Sequence, residues 1–293
     1  MKFLEQLQSL FKSEKVDINL RFDLLTDAFT GTMSRFHKAR DRQHDRVVGL
    51  KLLDSEKTAL FENRFKDLNK PSEGEIAVAL RHPHIVETYE HGISTRDQKF
   101  IVMEYLTGPG LHALIRQRDE RLSRTRLALI RQMAQAIQAV HTAGFIHRDI
   151  CPRNFICAED LTSLKLIDFG LTLPDEPPFR QPGNRTGTPA YMAPEIVRRR
   201  TTDRRVDVFA FGVAAYEVLT FEVPWPGADP SGQGALAHDT QPPVPIEDLR
   251  PDLDRTLGRA VMRCLAADRD ERPESLDAFL QLIRRVESET AAT

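Results

Sequence analysis

Four polar side chains lie where the surrounding sequence gives them chemical meaning. Lys51 lies within the apolar run VVGLKLL, residues 47–53, and a lysine on a buried strand is costly unless it meets an anion. Asp168 ends a second apolar strand, LKLI, and Asp149 and Asn154 lie in the loop just before that strand. Oxygen ligands from Asn154 and Asp168 suit a hard divalent cation such as Mg²⁺. A lysine for phosphate, metal ligands and an aspartate that can accept a hydroxyl proton together describe phosphoryl transfer.

The composition of the chain is that of a globular protein. Its 293 residues are 41% hydrophobic and 29% charged, with a formal net charge of −2, so we expect no general attraction to nucleic acid. Its three cysteines, Cys151, Cys157 and Cys264, form neither a disulfide framework nor a metal-binding spacing. No apolar run approaches the roughly 18–20 residues of a transmembrane segment. These features predict a cytoplasmic protein without a membrane span.

The start of the chain has apolar residues at helical spacing, which predicts an amphipathic helix over residues 2–12. Two interpretations remain open for it. The helix packs on its own domain, or it docks to a partner or a membrane surface.

The elements that must position the four polar residues change from β to α along the chain. Strands are expected at 47–53 and 99–106, with helical segments at 56–80, interrupted near Pro71, and at 122–144, 206–220 and twice within 253–287. The stretches 172–189 and 226–252 read as long loops. The pattern indicates an α+β fold.

Four short motifs occur in a shared order: VGLK, HRDICPRN, IDFG and GTPAYMAPE. Through them the chain resembles the eukaryotic-type (Hanks-type) Ser/Thr protein kinase family. The resemblance implies a bilobal fold with a small β-rich N-lobe and a larger, mainly α-helical C-lobe. The boundaries we predict are an N-terminal helical extension at 1–18, the N-lobe at 19–106, the C-lobe at 107–287 and a tail at 288–293.

The resemblance also implies roles for the four polar residues. Lys51 would hold the α- and β-phosphates of ATP, paired with a glutamate for which Glu73 is favoured and Glu75 is the competitor. Asp149 would accept the proton of the substrate hydroxyl. The two Mg²⁺ ligands would be Asn154 and Asp168.

Further roles follow for the adenine pocket and for the scaffold. Met103 would be the gatekeeper, Glu104 and Leu106 would offer hinge backbone groups to adenine, and Ile156 would close the pocket from below. Three residues would only support the fold: Asp207 as the anchor of the catalytic loop, and Glu195 with Arg272 as a salt bridge.

The loop that covers the phosphates departs from the family pattern. In FTGTMSRF, residues 29–36, Gly31 is the one family glycine that is kept, while Phe29 and Ser34 replace the other two. Because glycine lets backbone approach phosphate closely, this loss predicts weaker ATP binding. Phe36 stands where valine is usual and Gly49 where alanine is usual. Either the two changes compensate in volume, or the phenyl ring intrudes on the pocket.

The catalytic loop departs as well, because Cys151 replaces the usual lysine. Arg153 is a candidate replacement for that cation, and the alternative is a solvated loop arginine. Cys151 itself is either a small filler or, less favoured, a reactive thiol.

In the activation segment, Arg148 is the arginine that normally pairs with an activating phosphate. Asn184 stands where a phosphothreonine is often found, which leaves Thr186 as the nearest candidate. Thr188 resembles the family threonine that contacts Asp149, so Ser or Thr substrates are expected.

The leading hypothesis is therefore an ATP- and Mg²⁺-dependent Ser/Thr protein kinase acting on protein substrates. The competing hypothesis is a pseudokinase that serves as a scaffold, with or without nucleotide. A small-molecule kinase is disfavoured by the complete GTPAYMAPE segment, whose role is to dock a peptide.

Overall fold

The longest strands of the molecule come from the segment 34–53, which folds back on itself as a hairpin. In Ser34–Asp41 the side chains of His37, Ala39 and Asp41 are buried and alternate with more exposed neighbours, the pattern of a strand with one covered face. The next strand, Arg46–Leu53, is buried over most of its length. The strand expected at 47–53 is thus present and pairs with the first from Ser34↔Leu53 to Asp41↔Arg46.

The computed structural model describes residues 15–31, 33–182, 186–226 and 234–287. Their contacts divide them into two units. The first unit comprises the described residues up to Ala79 together with Glu87–Leu106. The second comprises Leu80–Val86 and the described residues from Thr107 onward. The predicted helix over residues 2–12 and the predicted tail lie outside the described residues.

The first unit is built on an antiparallel sheet whose strands are β1 (Phe22–Leu24), β2 (Phe29–Thr30), β3 (Ser34–Asp41), β4 (Arg46–Leu53), β5 (Thr88–Ile93) and β6 (Lys99–Glu104). The strand order is β1-β3-β4-β6-β5, with β2 paired to β3. Its helices are α1 (Ile18–Arg21), α2 (Ser55–Glu62) and α3 (Glu73–Ala79), with a 3₁₀ segment at Asn63–Leu68. The predicted helical stretch 56–80 is therefore divided into three pieces.

One face of this sheet carries the apolar core of the first unit. The core residues come from four strands and are Phe22, Ala39, Val48, Leu50, Leu52, Phe100 and Val102. Val16 and Ile18 pack against them, so the segment just before β1 belongs to the first unit rather than to a separate extension. Lys51 lies on the opposite face, because successive side chains along β4 point to opposite faces and its neighbours Leu50 and Leu52 point to the core.

The second unit is mainly helical, with short two-stranded sheets. Its helices are α4 (Leu111–Arg116), α5 (Arg126–Thr142), α6 (Pro194–Val197), α7 (Arg205–Thr220), α8 (Ala237–Thr240), α9 (Ile246–Leu249), α10 (Arg255–Cys264) and α11 (Leu276–Leu282). Its strands are β7 (Phe145–Ile146), β8 (Phe155–Cys157), β9 (Leu164–Leu166) and β10 (Leu173–Pro174). β8 pairs with β9 and β7 with β10. Helix α7, buried along nearly its whole length, is the centre of this unit.

The segment Leu80–Val86 differs from the predicted boundary, which placed it in the N-lobe. Ile85 bridges to Leu166, Val86 N–H donates to the carbonyl of Leu166, and Leu166 N–H donates to that of His84. These backbone bonds add the segment to β9 as an extra edge. It belongs to the second unit for that reason, whereas the division after Leu106 coincides with the predicted one.

The two stretches expected to be loops contain short elements. Residues 172–182 include β10 and a 3₁₀ turn at Pro177–Arg180, and residues 234–252 include α8 and α9. None of the helices in the described part of the chain has the length and apolar content needed to span a lipid bilayer.

Candidate active site

The hairpin formed by β8 and β9 brings Asn154 and Asp168 to the same end of the second unit. Asn154 immediately precedes β8, and Asp168 follows β9 by two residues. The N–H of Ile167 donates to the carbonyl of Asn154 at 2.8 Å, which extends the hairpin by one more bond. Two polar residues that are distant in sequence therefore flank one pair of strands.

The carboxylate of Asp149 is held by hydrogen bonds at both of its oxygens. Oδ1 accepts the hydroxyl of Thr188 at 2.8 Å and its backbone N–H at 2.9 Å. Oδ2 accepts Nδ2 of Asn154 at 3.2 Å, and the same amide group donates to the Asp149 carbonyl at 2.7 Å. These bonds fix the direction of the carboxylate before any substrate arrives.

Gly187 makes the approach of Thr188 to Asp149 sterically possible. Its φ of +121° is one that residues with a side chain rarely adopt, and a Cβ there would lie 2.7 Å from the carbonyl oxygen of Arg148. A glycine is required at this point.

Asp207, in the first turn of α7, anchors the loop that carries Asp149. The Asp207 carboxylate accepts the backbone N–H groups of His147 and Arg148 and the Nε2 of His141, each at 2.8 Å. Burial acts to raise the pKa of Asp207, but the hydrogen bond from His141 and the other donors outweigh it and hold that pKa below its usual value. The residue is an ionised buried anchor.

In the first unit, Lys51 forms an ion pair with Glu73 at the start of α3. The distance from Nζ to Oε1 is 2.5 Å, and both side chains are largely buried. Glu75 is used differently, because its Oε2 accepts both the N–H and the hydroxyl of Ser72 at 2.7 Å. These bonds form a capping box at the start of α3. Of the two glutamates that the sequence offered as partners of Lys51, Glu73 is therefore the one that pairs with it.

The residues expected around adenine come from both units. Met103 is buried near the end of β6, where it pairs with Gly49, while Glu104 ends the strand and Leu106 follows it. In the second unit, Ile156 lies in β8, half-buried, in a bridge with Gly110.

A hydrogen-bonded pair that the sequence did not indicate, with Glu217 buried and Tyr191 half-buried, connects the GTPAYMAPE segment to α7. The Tyr191 hydroxyl donates to Oε2 of Glu217 at 2.7 Å. Burial raises the pKa of Glu217 to about 7, although the bond from Tyr191 acts in the opposite direction. Burial also raises the pKa of Tyr191. Nothing in the local sequence marks these two residues, because their contact depends on how the segment packs on the helix.

The Glu195–Arg272 salt bridge also lies in the second unit. The two terminal guanidinium nitrogens of Arg272 each donate to one oxygen of the Glu195 carboxylate at 2.8 Å, and the pair is buried. It supports the fold away from Asp149.

Comparison with known proteins adds family evidence to this geometry. A family model described as "protein kinase domain" matches residues 30–281. The chain belongs to the protein kinase family. It is 31% identical over 270 residues to the serine/threonine-protein kinase pkn3 of Myxococcus xanthus, covering 88% of this chain and 48% of that protein. It is 33% identical over 250 residues to the serine/threonine-protein kinase PknB of Mycolicibacterium smegmatis, covering 83% and 39% respectively.

These matches confirm the family and the α+β kinase fold predicted from the sequence. Membership of the family implies ATP as a substrate, a divalent metal ion and a protein as the acceptor. The chain spans less than half the length of either relative.

The residues at the candidate metal site fit a hard cation. The amide nitrogen of Asn154 is occupied by Asp149, which leaves its carbonyl oxygen as the atom that could bind a metal. Asp168 is exposed, and its Oδ1 also accepts the N–H of Gly170 at 3.0 Å. Among the described residues, no three His, Cys, Asp or Glu side chains cluster into a site of their own. Two oxygen ligands that leave the remaining positions to phosphate and water are what Mg²⁺ favours.

Cys151 is a buried side chain with little chemical reactivity. It is 1% exposed, and its sulfur lies 3.9 Å from the hydroxyl of Thr188. Burial, reinforced by the charge of Asp149, raises the pKa of its thiol to about 12. The thiol is protonated at neutral pH, which favours the filler interpretation over the reactive one.

Arg153 is the middle residue of the 3₁₀ turn Pro152–Asn154 and is exposed. Its position one residue before Asn154 keeps it next to the candidate site, and its role as the replacement cation stays a prediction. Arg148 is buried and donates to the hydroxyl of Thr202 at 3.3 Å. Thr186 is half-buried, and Asn184 lies outside the described residues.

Phe36 and Gly49, the two departures from the family pattern on the sheet, compensate one another in volume. The ring of Phe36 lies over Gly49, in the space that a side chain at that position would take. In the neighbouring loop, Gly31 N–H donates to Ser34 at 2.9 Å, and a Cβ on Gly31 would meet Ser34 only at ordinary contact distance. The turn therefore does not need a glycine for its own conformation. The expectation that the loss of two family glycines weakens ATP binding, because the backbone comes less close to the phosphates, remains a prediction.

Proposed function

We propose that this protein is a serine/threonine kinase that transfers the γ-phosphate of ATP to hydroxyl groups of protein substrates. The proposal covers its activity, its substrates and the metal, for which we propose Mg²⁺. It is supported by the family membership, by the names of the relatives and by the geometry around Asp149.

Each polar residue has one part in the proposed reaction. Lys51, oriented by Glu73, binds oxygens of the α- and β-phosphates. Asp149 takes the proton of the attacking hydroxyl as its oxygen bonds to the γ-phosphorus, while the bond from that phosphorus to the departing ADP oxygen breaks. Asn154 and Asp168 would hold the cation, which when bound would neutralise phosphate charge.

Residues around the base and the phosphates complete the proposed site. Met103, Glu104, Leu106 and Ile156 would contact or flank adenine, and Gly31 would approach the phosphates. Arg153 would supply the positive charge that Cys151 does not.

The observation that carries the proposal is the set of bonds on Asp149. A pseudokinase has no need of an aspartate held at both carboxylate oxygens, with Thr188 on one and Asn154 on the other. The threonine contact also favours Ser and Thr acceptors, in line with the sequence-based expectation.

The test is incubation of the purified protein with labelled ATP, Mg²⁺ and a generic basic protein, followed by analysis of the phosphorylated amino acids. We expect phosphoserine and phosphothreonine, without phosphotyrosine. A rise in melting temperature with ATP and Mg²⁺ but no transfer would instead support the pseudokinase. The absence of both ATP binding and phosphate transfer would overturn the proposed function as a whole.

Three further predictions from the sequence belong to this proposal. We infer a cytoplasmic location and no nucleic-acid partner, and for the helix expected at residues 2–12 both interpretations stand, packing on its own domain or docking to a partner or a membrane surface. If the helix is a docking element, deletion of residues 1–15 is expected to leave nucleotide binding intact, whereas a large loss of stability would show that the helix belongs to the core.

A further inference from the structure

His91 and Lys51 lie in one row across three strands of the first unit's sheet. Ile101 of β6 is paired with Lys51 of β4 on one side and with His91 of β5 on the other. Directly opposed residues of neighbouring strands share a face, so all three side chains lie on the face opposite the apolar core. Since neighbouring strands are roughly 4.8 Å apart, the two ends of the row are about 10 Å apart.

Helix α3 contacts both ends of this row with two consecutive residues. Glu73 forms the ion pair with Lys51 at 2.5 Å, and Gly74 lies against His91. A Cβ added to Gly74 would lie 2.5 Å from Cβ and 2.6 Å from Cγ of His91, closer than real Cβ atoms come. The absence of a side chain at position 74 therefore allows α3 to come this close to β5.

A glycine in α3 needs a physical reason, because glycine loses more backbone entropy than alanine when a helix forms. Gly74 is buried, and its packing on His91 supplies that reason. Carbon atoms in contact normally lie about 3.5–4.0 Å apart, so a methyl group at position 74 would move α3 away from β5 by roughly 1 Å.

The contact between Gly74 and His91 is one of packing rather than of charge. His91 is half-buried, and burial lowers the pKa of its imidazole, although the carboxylates of Glu75 and Glu90 act in the opposite direction. The ammonium of Lys99 also lowers this pKa. The ring is therefore neutral at pH 8, where its shape alone determines how α3 lies on β5.

We propose that His91 is a positioning residue for phosphate transfer, because its contact with Gly74 sets how close α3 comes to the sheet and hence where Glu73 holds Lys51. The inference rests on the proposed function, in which Lys51 binds the phosphates of ATP. His91 acts through α3 and not by touching the nucleotide. A misplacement of about 1 Å in a group that orients the reactants can lower the rate roughly 100-fold.

The test measures kcat/KM for ATP at pH 8 in variants that change the contact from either side. Gly74→Ala is expected to lower kcat/KM roughly 10- to 100-fold. Gly74→Ala/His91→Gly should recover most of the loss, because the new methyl group then takes the place of the Cβ removed from residue 91. Gly74→Ala/His91→Ala is the matched control, which keeps that Cβ and should stay as impaired as Gly74→Ala.

A second comparison shows whether the effect acts through Glu73. In the Glu73→Ala background the ion pair is absent, so Gly74→Ala should lower kcat/KM further by no more than roughly 3-fold. A merely structural contact would lower the melting temperature and would leave the effects of the two substitutions on kcat/KM additive.

Three outcomes would overturn the inference while the proposed function stands. They are a wild-type kcat/KM in Gly74→Ala, a recovery by His91→Gly no greater than that by His91→Ala, and full additivity with Glu73→Ala. The absence of phosphate transfer by the wild type would instead overturn the proposed function.

His91→Gly alone keeps the inference testable if Gly74→Ala does not fold. It removes the same contact from the side of β5, and it should lower kcat/KM for ATP when Glu73 is present but not in the Glu73→Ala background. An equal loss in both backgrounds would contradict the positioning role.

Discussion

At the residue scale, the chemistry depends on how neighbouring side chains hold each charged group. Lys51 forms an ion pair with Glu73, and the carboxylate of Asp149 accepts hydrogen bonds from Thr188 and Asn154. In each case the partner fixes where the charge points, which is the part of catalysis that a protein can prepare in advance.

Glu73 and Glu75 offer a matched pair of substitutions. Glu73→Gln removes the charge that orients Lys51, and charged hydrogen bonds contribute about 1.5–3 kcal/mol, so we expect kcat/KM for ATP to fall roughly 10- to 100-fold. Glu75→Gln keeps the capping box with Ser72 and should leave kcat/KM unchanged. Equal effects of the two substitutions in a steady-state assay would contradict the assigned pairing.

Cys151 is expected to resist alkylation in the folded protein. With a pKa of about 12, its thiol should react with iodoacetamide at least ~100-fold more slowly at pH 8 than an exposed cysteine does. Cys157 and Cys264 are buried too, each with a pKa raised to about 12 by burial, so the native protein as a whole should stay unlabelled. Mass spectrometry before and after unfolding in urea gives the comparison. Rapid native labelling of Cys151 would support the reactive-thiol interpretation instead.

At the element scale, α7 holds both the catalytic loop and the GTPAYMAPE segment. Asp207 in its first turn binds the loop backbone, and Glu217 near its other end binds Tyr191. A single rigid helix thereby sets the positions of two segments that must meet at Asp149.

Glu217 makes the stability of this arrangement depend on pH. Its pKa is raised by burial from 4.5 to about 7, so the stability associated with its protonated form is fully present below about pH 4.5 and is lost as pH rises through about 7. Glu217→Gln mimics the protonated form. We expect it to gain stability over the wild type between pH 5 and pH 8, by at most roughly 3 kcal/mol.

Urea unfolding at several pH values measures this difference. Tyr191→Phe removes the hydrogen bond that lowers the pKa of Glu217, so the loss of stability with rising pH should become larger. Parallel pH profiles of the wild type and Glu217→Gln would contradict the account.

The buried Glu195–Arg272 bridge connects helix α6 to the segment before α11. Arg272→Ala leaves an uncompensated buried carboxylate and is expected to lower the free energy of unfolding by about 3–5 kcal/mol. Arg118→Ala, which breaks an exposed ion pair with Glu222 in the same unit, should cost no more than about 1 kcal/mol. The two values come from denaturant unfolding, and a small effect at Arg272 would show that the bridge is dispensable.

At the scale of the whole molecule, the sequence predicts the fold well because each kinase motif is short, contiguous and tied to a chemical need. The sequence alone was enough to identify Lys51, on an apolar strand, and Asp168, at the end of another, as candidate site residues. The sequence favoured Glu73 as the partner of Lys51 and kept Glu75 as the competitor. The spacing of Ser72 and Glu75, which is that of a capping box, is the sequence signal that could have separated them.

Other features depend on packing between distant segments and could not be predicted. The Tyr191–Glu217 contact joins a loop to a helix with no local signal. Volume arguments left two possibilities for Phe36, and the direction of its ring over Gly49 decided between them. The assignment of residues 80–86 to the second unit rests on backbone bonds to Leu166, which side-chain patterns do not reveal.

The central claim is that Asp149 is the proton acceptor in phosphate transfer, and one substitution tests it most directly. The rate of labelled phosphate transfer to a basic protein should fall at least ~100-fold in Asp149→Asn, since an amide cannot take the proton. The affinity for ATP and the melting temperature should stay close to those of the wild type. Transfer at the wild-type rate by a folded, ATP-binding Asp149→Asn protein would contradict the account.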